Sequence, residues 1–168
     1  MLFRCAFAYS LLEFQAGHVA KIDVEAEGNS VSIADDGRGH AIERKADGVP
    51  HVEIIYSQLG TSEQDTRMPE IAIHALGVSL FSAFCAELVV EARKDNETVR
   101  ARFADGRLTE MESLDAAASR TGNTIYFTLS PVKLREIASE DEIRDYLRWI
   151  KAENPTLGLS LNGNAIEA

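Results

Sequence analysis

The stretch SVSIADDGRGHAI, residues 30 to 42, constrains the fold more than any other part of the chain. Its alternation aims Val31, Ile33 and Asp35 to one side of a strand, because successive side chains point to opposite faces. Asp35 therefore continues a core-facing row, while Asp36 points the other way. A carboxylate at the inner end of an apolar row must find donors, since leaving it buried and unpaired is costly. Two readings are open. In one, Asp-Gly closes the strand in a turn, and the aspartate satisfies its own backbone. In the other, Asp35 accepts a hydrogen bond from a bound group, and Gly37 and Gly39 let that group approach closely.

The chain has 168 residues, the size of one domain, long enough to remove roughly 70% of its unfolded surface from water. Its 45% apolar content excludes a disordered chain. With 27 acids against 17 bases the net charge is -10, a surface that repels phosphate backbones and argues against stand-alone nucleic-acid binding. The nearest basic cluster, Arg93, Lys94, Arg100 and Arg102, is interleaved with Glu91, Asp95 and Glu97. Cys5 and Cys85 are far apart and read as reduced, buried small residues. The apolar opening MLFRCAFAYSLL runs into Glu13 and Gln15 and has no convincing cleavage motif. A soluble cytoplasmic protein without a membrane partner is the expectation.

Periodicity predicts a helix over 2–16, with Leu2, Cys5, Ala6, Tyr9, Leu12, Glu13 and Ala16 along or beside one face and Gly17 ending it. Ile22-Val24-Ala26 and Val31-Ile33 around Gly28-Asn29 signal a hairpin. Pro50 opens a helix carrying Val52, Ile55 and Tyr56 that ends near Gly60. Residues 60–70 read as a loop and 71–86 as an apolar helix. Strands follow at 87–93 and 97–104 around Lys94-Asp95-Asn96, at 108–113, and at 123–129. Ser139 and Glu142 form a capping box for a last helix with Ile143, Tyr146, Leu147 and Ile150 on one face. The tail LGLSLNG reads as a final edge strand. The pattern predicts one α+β domain over 1–168: a two-layer sandwich, with helices on one face of a mixed, mostly antiparallel sheet.

His18, His40, His51 and His74 have no ligand spacing with one another or with a cysteine, so no metal site is expected. A P-loop, a GxGxxG motif and a nucleophile elbow are all missing from the sequence. IAIHALG, residues 71–77, taken alone is the start of a core helix, with His74 a hydrogen-bonded interior residue.

The order AGH (16–18), VSIADDGRG (31–39), GVP (48–50), IHALGVSLFSAF (73–84) and TGNTIYF (121–127) resembles a known family. It is similar to the nucleotide-binding domain of type II topoisomerase B subunits such as gyrase B, within the superfamily that includes Hsp90 chaperones, MutL and histidine kinases. The resemblance covers residues 5 to about 130 and implies a Bergerat-type ATP-binding fold. It places Asp35 on the adenine-binding aspartate and Gly39 on the glycine beside the base. Arg38 and Glu13 fall on an arginine and acid that pair next to the adenine. Asn123 stands for a threonine supporting the aspartate, and Gly77 is kept from the phosphate loop.

The same resemblance implies a lost reacting end. The general-base glutamate corresponds to Cys5 and the magnesium-holding asparagine to Tyr9, and neither replacement supports phosphoryl transfer. In the phosphate loop, Ile71, Ala72 and Ala75 replace family glycines, so only His74 and Gly77 remain. The family's dimerisation arm and transducer domain are not represented in the 168 residues. The expectation is a degenerate, non-hydrolysing member with no catalytic residues and no metal. It either binds an adenine compound (ATP, ADP or adenosine) without magnesium as a regulator, or serves as a structural module for a protein partner. A weak ATPase of topoisomerase ancestry is the remaining alternative.

Overall fold

Cross-strand register explains the sheet. In the computed structural model, which describes residues 2–39, 48–57, 80–94, 96–114, 120–130, 132–133 and 138–167, β1 (Lys21–Glu27) and β2 (Ser30–Asp35) form the expected hairpin. They pair with Val24 opposite Ile33 and Ile22 opposite Asp35. β3 (Cys85–Lys94), β4 (Glu97–Ala104), β5 (Arg107–Leu114) and β6 (Gly122–Leu129) follow, then β7 (Gly158–Leu161) and β8 (Asn164–Ala165). The eight strands lie in the order β5-β4-β3-β6-β2-β1-β7-β8. Only β1 and β7 pair in parallel among the described strands, so the sheet is mixed and mostly antiparallel as expected.

Opposed residues share a face, so the register assembles rows that cross the sheet. One row runs Leu161, Val24, Ile33, Ile125, Val90, Ala101. The adjacent row begins Leu159, Ile22, Asp35 and resumes as Asn123, Ala92, Val99. The apolar inner face is thus interrupted at two neighbouring strands by a carboxylate and a carboxamide.

Helices cover this face. α1 (Leu2–Gln15) buries Phe3, Ala6, Phe7 and Ser10, and α2 (His51–Ser57) buries Val52, Ile55 and Tyr56. α3 (Glu140–Glu153) buries Ile143, Leu147 and Ile150, and Ser139 with Glu142 closes the capping box at its start. Ring contacts knit the layers: Phe3 and Phe7 each meet Tyr146 edge-on at 5.8 Å, Phe81 meets Phe127 at 4.6 Å, and Tyr56 meets Phe103 at 5.5 Å. The opposite face carries ion pairs instead. Arg100 bridges Glu91 and Glu112, and Arg102 bridges Glu87 and Glu110, so most of the basic cluster is locally neutralised.

Three expectations are corrected. The buried stripe of α1 is Phe3, Ala6, Phe7 and Ser10, whereas Cys5, Tyr9, Leu12 and Glu13 are half-buried. α1 is apolar nearly all round, so periodicity alone does not choose its inner side. The helix predicted over 71–86 gives way to β3 already at Cys85; only its residues 80–84 are described as helical, and 71–79 lie outside the described residues. The tail strand is not an edge: β7 is held between β1 and β8, because Asn162 and Gly163 adopt positive φ (50° and 75°) and turn the chain back. The loop expected at 60–70 also lies outside the described residues.

The two-layer core predicts a graded response to substitution. Phe7→Ala, at a fully buried ring, is expected to cost about 3–5 kcal/mol in chemical denaturation. Ser139→Ala, which removes only a cap, should cost about 1 kcal/mol.

Candidate functional site

Asp35 ends β2 facing the helix layer and is only 7% exposed. Its Oδ2 accepts the Ser10 hydroxyl of α1 at 2.7 Å. Its Oδ1 accepts the backbone N–H groups of Gly37 and Asn123, both at 3.1 Å. The Asn123 amide nitrogen lies 3.4 and 3.5 Å from the two oxygens. Ser10 and Asn123 are each 1% exposed. The bond to Gly37 is the local turn interaction, but the other donors come from a helix and a strand remote in sequence. Asp35 is therefore both a turn residue and a junction of three elements.

Asp36 has a different task. Its Oδ1 accepts the N–H groups of Ala20 and Lys21 at 2.8 and 2.9 Å, which ties the start of β1 to the end of β2. The paired acids of the opening motif thus divide into one facing the interior and one securing the hairpin.

Two glycines hold the backbone close around this junction. Gly122 has φ +132°, and a Cβ there would lie 2.0 Å from the Asp35 carbonyl oxygen. Gly39 has φ +78°, and a Cβ there would lie 2.3 Å from the Arg93 carbonyl oxygen. The fold itself therefore requires both positions to lack a side chain.

Cys5, Tyr9 and Glu13 recur every fourth residue along one stripe of α1. Glu13 receives both Arg38 Nη2 at 2.6 Å and Arg38 Nε at 3.0 Å, a two-point ion pair that joins α1 to the loop after β2. Burial raises the Cys5 thiol pKa above its ordinary 9.0, so at neutral pH the thiol keeps its proton and is no general base. Tyr9 packs against the core edge. Tyr56 is buried, and its phenol is pushed well above 10, first by desolvation and then by Tyr9 and Asp35 nearby. Tyr9 is close enough to Tyr56 and to Arg38 to act on both electrostatically, and it brings a phenol to the position that the resemblance gives to a metal ligand. Among the described residues, no group of three or more His, Cys, Asp or Glu is placed to hold a metal ion, and no helix is long and apolar enough to cross a membrane.

Beside the end of β2 the structure brings Asp35 together with Asn123, and Glu13 together with Arg38, whereas Gly39 packs on Arg93 at the end of β3 and Cys5 lies about two helical turns away from Glu13, near Tyr146. Gly77, Ala72 and Ala75 lie outside the described residues. Ser10, Gly122 and Tyr56 were missed. Ser10 left a signal, a hydroxyl in the Phe3, Ala6, Phe7 stripe at helical spacing. Gly122 left none beyond a turn before a strand.

Proteins of known identity are similar to this chain in sequence and fold. Gyrase B of Campylobacter jejuni is 29% identical over 124 residues, covering 70% of this chain and 16% of that protein. Its counterpart in topoisomerase IV of Pseudomonas aeruginosa is 30% identical over 129 residues, covering 73% of this chain and 20% of that protein. The chain thus spans about a fifth or less of the length of these relatives. No family model matches it. The 43K ATPase domain of Thermus thermophilus gyrase B, solved with an aminocoumarin, superposes with a TM-score of 0.82 at 25% identity, over 95% of this chain and 42% of that one. The topoisomerase IV ATP-binding domain of Francisella tularensis, solved with a small-molecule inhibitor, superposes with a TM-score of 0.81 at 23% identity, over 97% of this chain and 80% of that one. The chain is a divergent homologue of gyrase B and its topoisomerase IV counterpart, and it carries the fold of their ATP-binding domain.

Proposed function

We propose that this protein binds an adenine nucleotide or nucleoside without magnesium, does not hydrolyse it, and acts as a cytoplasmic regulator. The observation that carries the reading is the Asp35 junction. A buried carboxylate is held rigidly by Ser10, Gly37 and Asn123, on the fold of a domain that binds ATP in its relatives. Absence of turnover follows from chemistry. A protonated thiol at Cys5 neither orients nor deprotonates water, and a phenol at Tyr9 does not replace a carboxamide as a magnesium ligand. A structural or protein-interaction module is the second reading, and the number of protein donors already on Asp35 favours it.

Ligand binding to the native state raises its stability by linkage, about 2.7 kcal/mol at a ligand concentration of 100 Kd. Thermal-shift titration with adenosine, ADP and ATP should raise Tm by several degrees. The rise should be the same with and without magnesium and should be lost in Asp35→Asn. No rise with any of the three up to millimolar concentration leaves the second reading standing.

Phosphate release from ATP and magnesium should be no faster than in a Cys5→Ala control. A wild-type rate clearly above that control would make the protein an ATPase.

A further inference from the structure

β5 ends the sheet, and among the described residues no strand pairs with its outer side. Such an edge offers its backbone N–H and C=O groups to any extended chain. The opposite edge, β8, has only two residues, whereas β5 has eight and contains neither proline nor lysine. The irregularity in its pairing falls between Arg102 and Phe103 of β4, so Glu110–Leu114 keep a regular register with Thr98–Arg102. No residue of β5 is fully buried, and Leu108 and Met111 are only half-covered where they pack against the core.

Charge alternates across this end of the sheet. Glu91 on β3 faces Arg100 on β4, which faces Glu112 on β5, with contacts of 2.9 and 3.1 Å. Beside it, Arg102 meets Glu87 diagonally on β3 at 3.4 Å and Glu110 directly on β5 at 3.3 Å. Both rows therefore end at the edge on an acid. Each pair uses one oxygen of the edge carboxylate, Oε1 of Glu112 and Oε2 of Glu110. A strand laid along β5 continues both rows if it carries cations two residues apart, and the side chain between them falls on the other face, beside Met111. A second copy of β5, paired antiparallel about Met111, would instead set Glu110 against Glu112, like charge against like.

We propose that β5 is a docking edge for an extended segment of a partner protein in which two basic residues flank an apolar one. Main-chain bonds along the edge hold the segment, and Glu110 with Glu112 select it. The net charge of -10 favours its approach. The inference is independent of the nucleotide reading, because no residue of the Asp35 junction belongs to β5.

Fluorescence anisotropy of the full chain with a short labelled peptide of alternating arginine and valine tests this, with hydrogen exchange to locate the contact. The peptide should bind saturably and slow amide exchange within Glu110–Leu114. The same peptide with glutamate in place of arginine, or N-methylated throughout, should not bind. Glu110→Gln combined with Glu112→Gln should weaken binding about fivefold or more, the worth of two cross-strand ion pairs. Glu25→Gln combined with Glu27→Gln, an equal loss of charge at exposed residues of β1, should leave affinity within about twofold at physiological salt. Equal binding of the glutamate or N-methylated peptide, protection confined to other strands, or no binding up to millimolar peptide would each overturn the proposal. Dimerisation of the free chain with β5 protected would also overturn it, by making a second copy the occupant.

Discussion

A single buried carboxylate organises this molecule. Asp35 sits within a row of inward-facing residues that runs Leu159, Ile22, Asp35 and resumes as Asn123, Ala92 and Val99, and burial of such a group is tolerated only when its acceptors are filled. The filling comes from α1 through Ser10, from the loop after β2 through Gly37, and from β6 through Asn123. These bonds fix how the helix layer sits on the sheet at the residues proposed to meet the ligand. Structure and proposed site therefore share one set of atoms. A change at Asp35 would be felt in both.

The surroundings follow from that junction. Gly122 lacks a Cβ because β6 must approach the Asp35 carbonyl, and Gly39 lacks one because the loop after β2 folds onto the end of β3. The Glu13–Arg38 pair closes the same loop against α1. With Arg38 more than half exposed, its worth lies in geometry more than in stability. On the outer face of the sheet, Arg100 and Arg102 each bridge two glutamates, which removes most of the local basic character.

Much of this was legible in the sequence because alternation and turn chemistry are local. Val31, Ile33 and Asp35 lie on one face and Asp36 on the other, as period-two spacing requires. The Ser139–Glu142 cap and the Gly28-Asn29 hairpin were readable for the same reason. Distant partnerships were legible only through the resemblance, which set Asn123 beside Asp35 and Arg38 beside Glu13. Nothing near Ser10, in contrast, reveals that its hydroxyl meets a carboxylate 25 residues away. The inner face of α1 is not legible locally because its apolar residues encircle the helix, and only packing against the sheet selects Phe3, Ala6, Phe7 and Ser10. The parallel pairing of β7 with β1 needed the crossover through α3, which no short window contains.

The central proposal is that the Asp35 junction receives an adenine base that the protein does not hydrolyse. The backbone amides of Gly37 and Asn123 report on it directly, because both donate to the Asp35 carboxylate. In an amide NMR titration of the full chain with adenosine, without magnesium, the account predicts saturable shifts at Gly37 and Asn123, unchanged when magnesium is added. Unperturbed amides at both residues up to millimolar adenosine would contradict it.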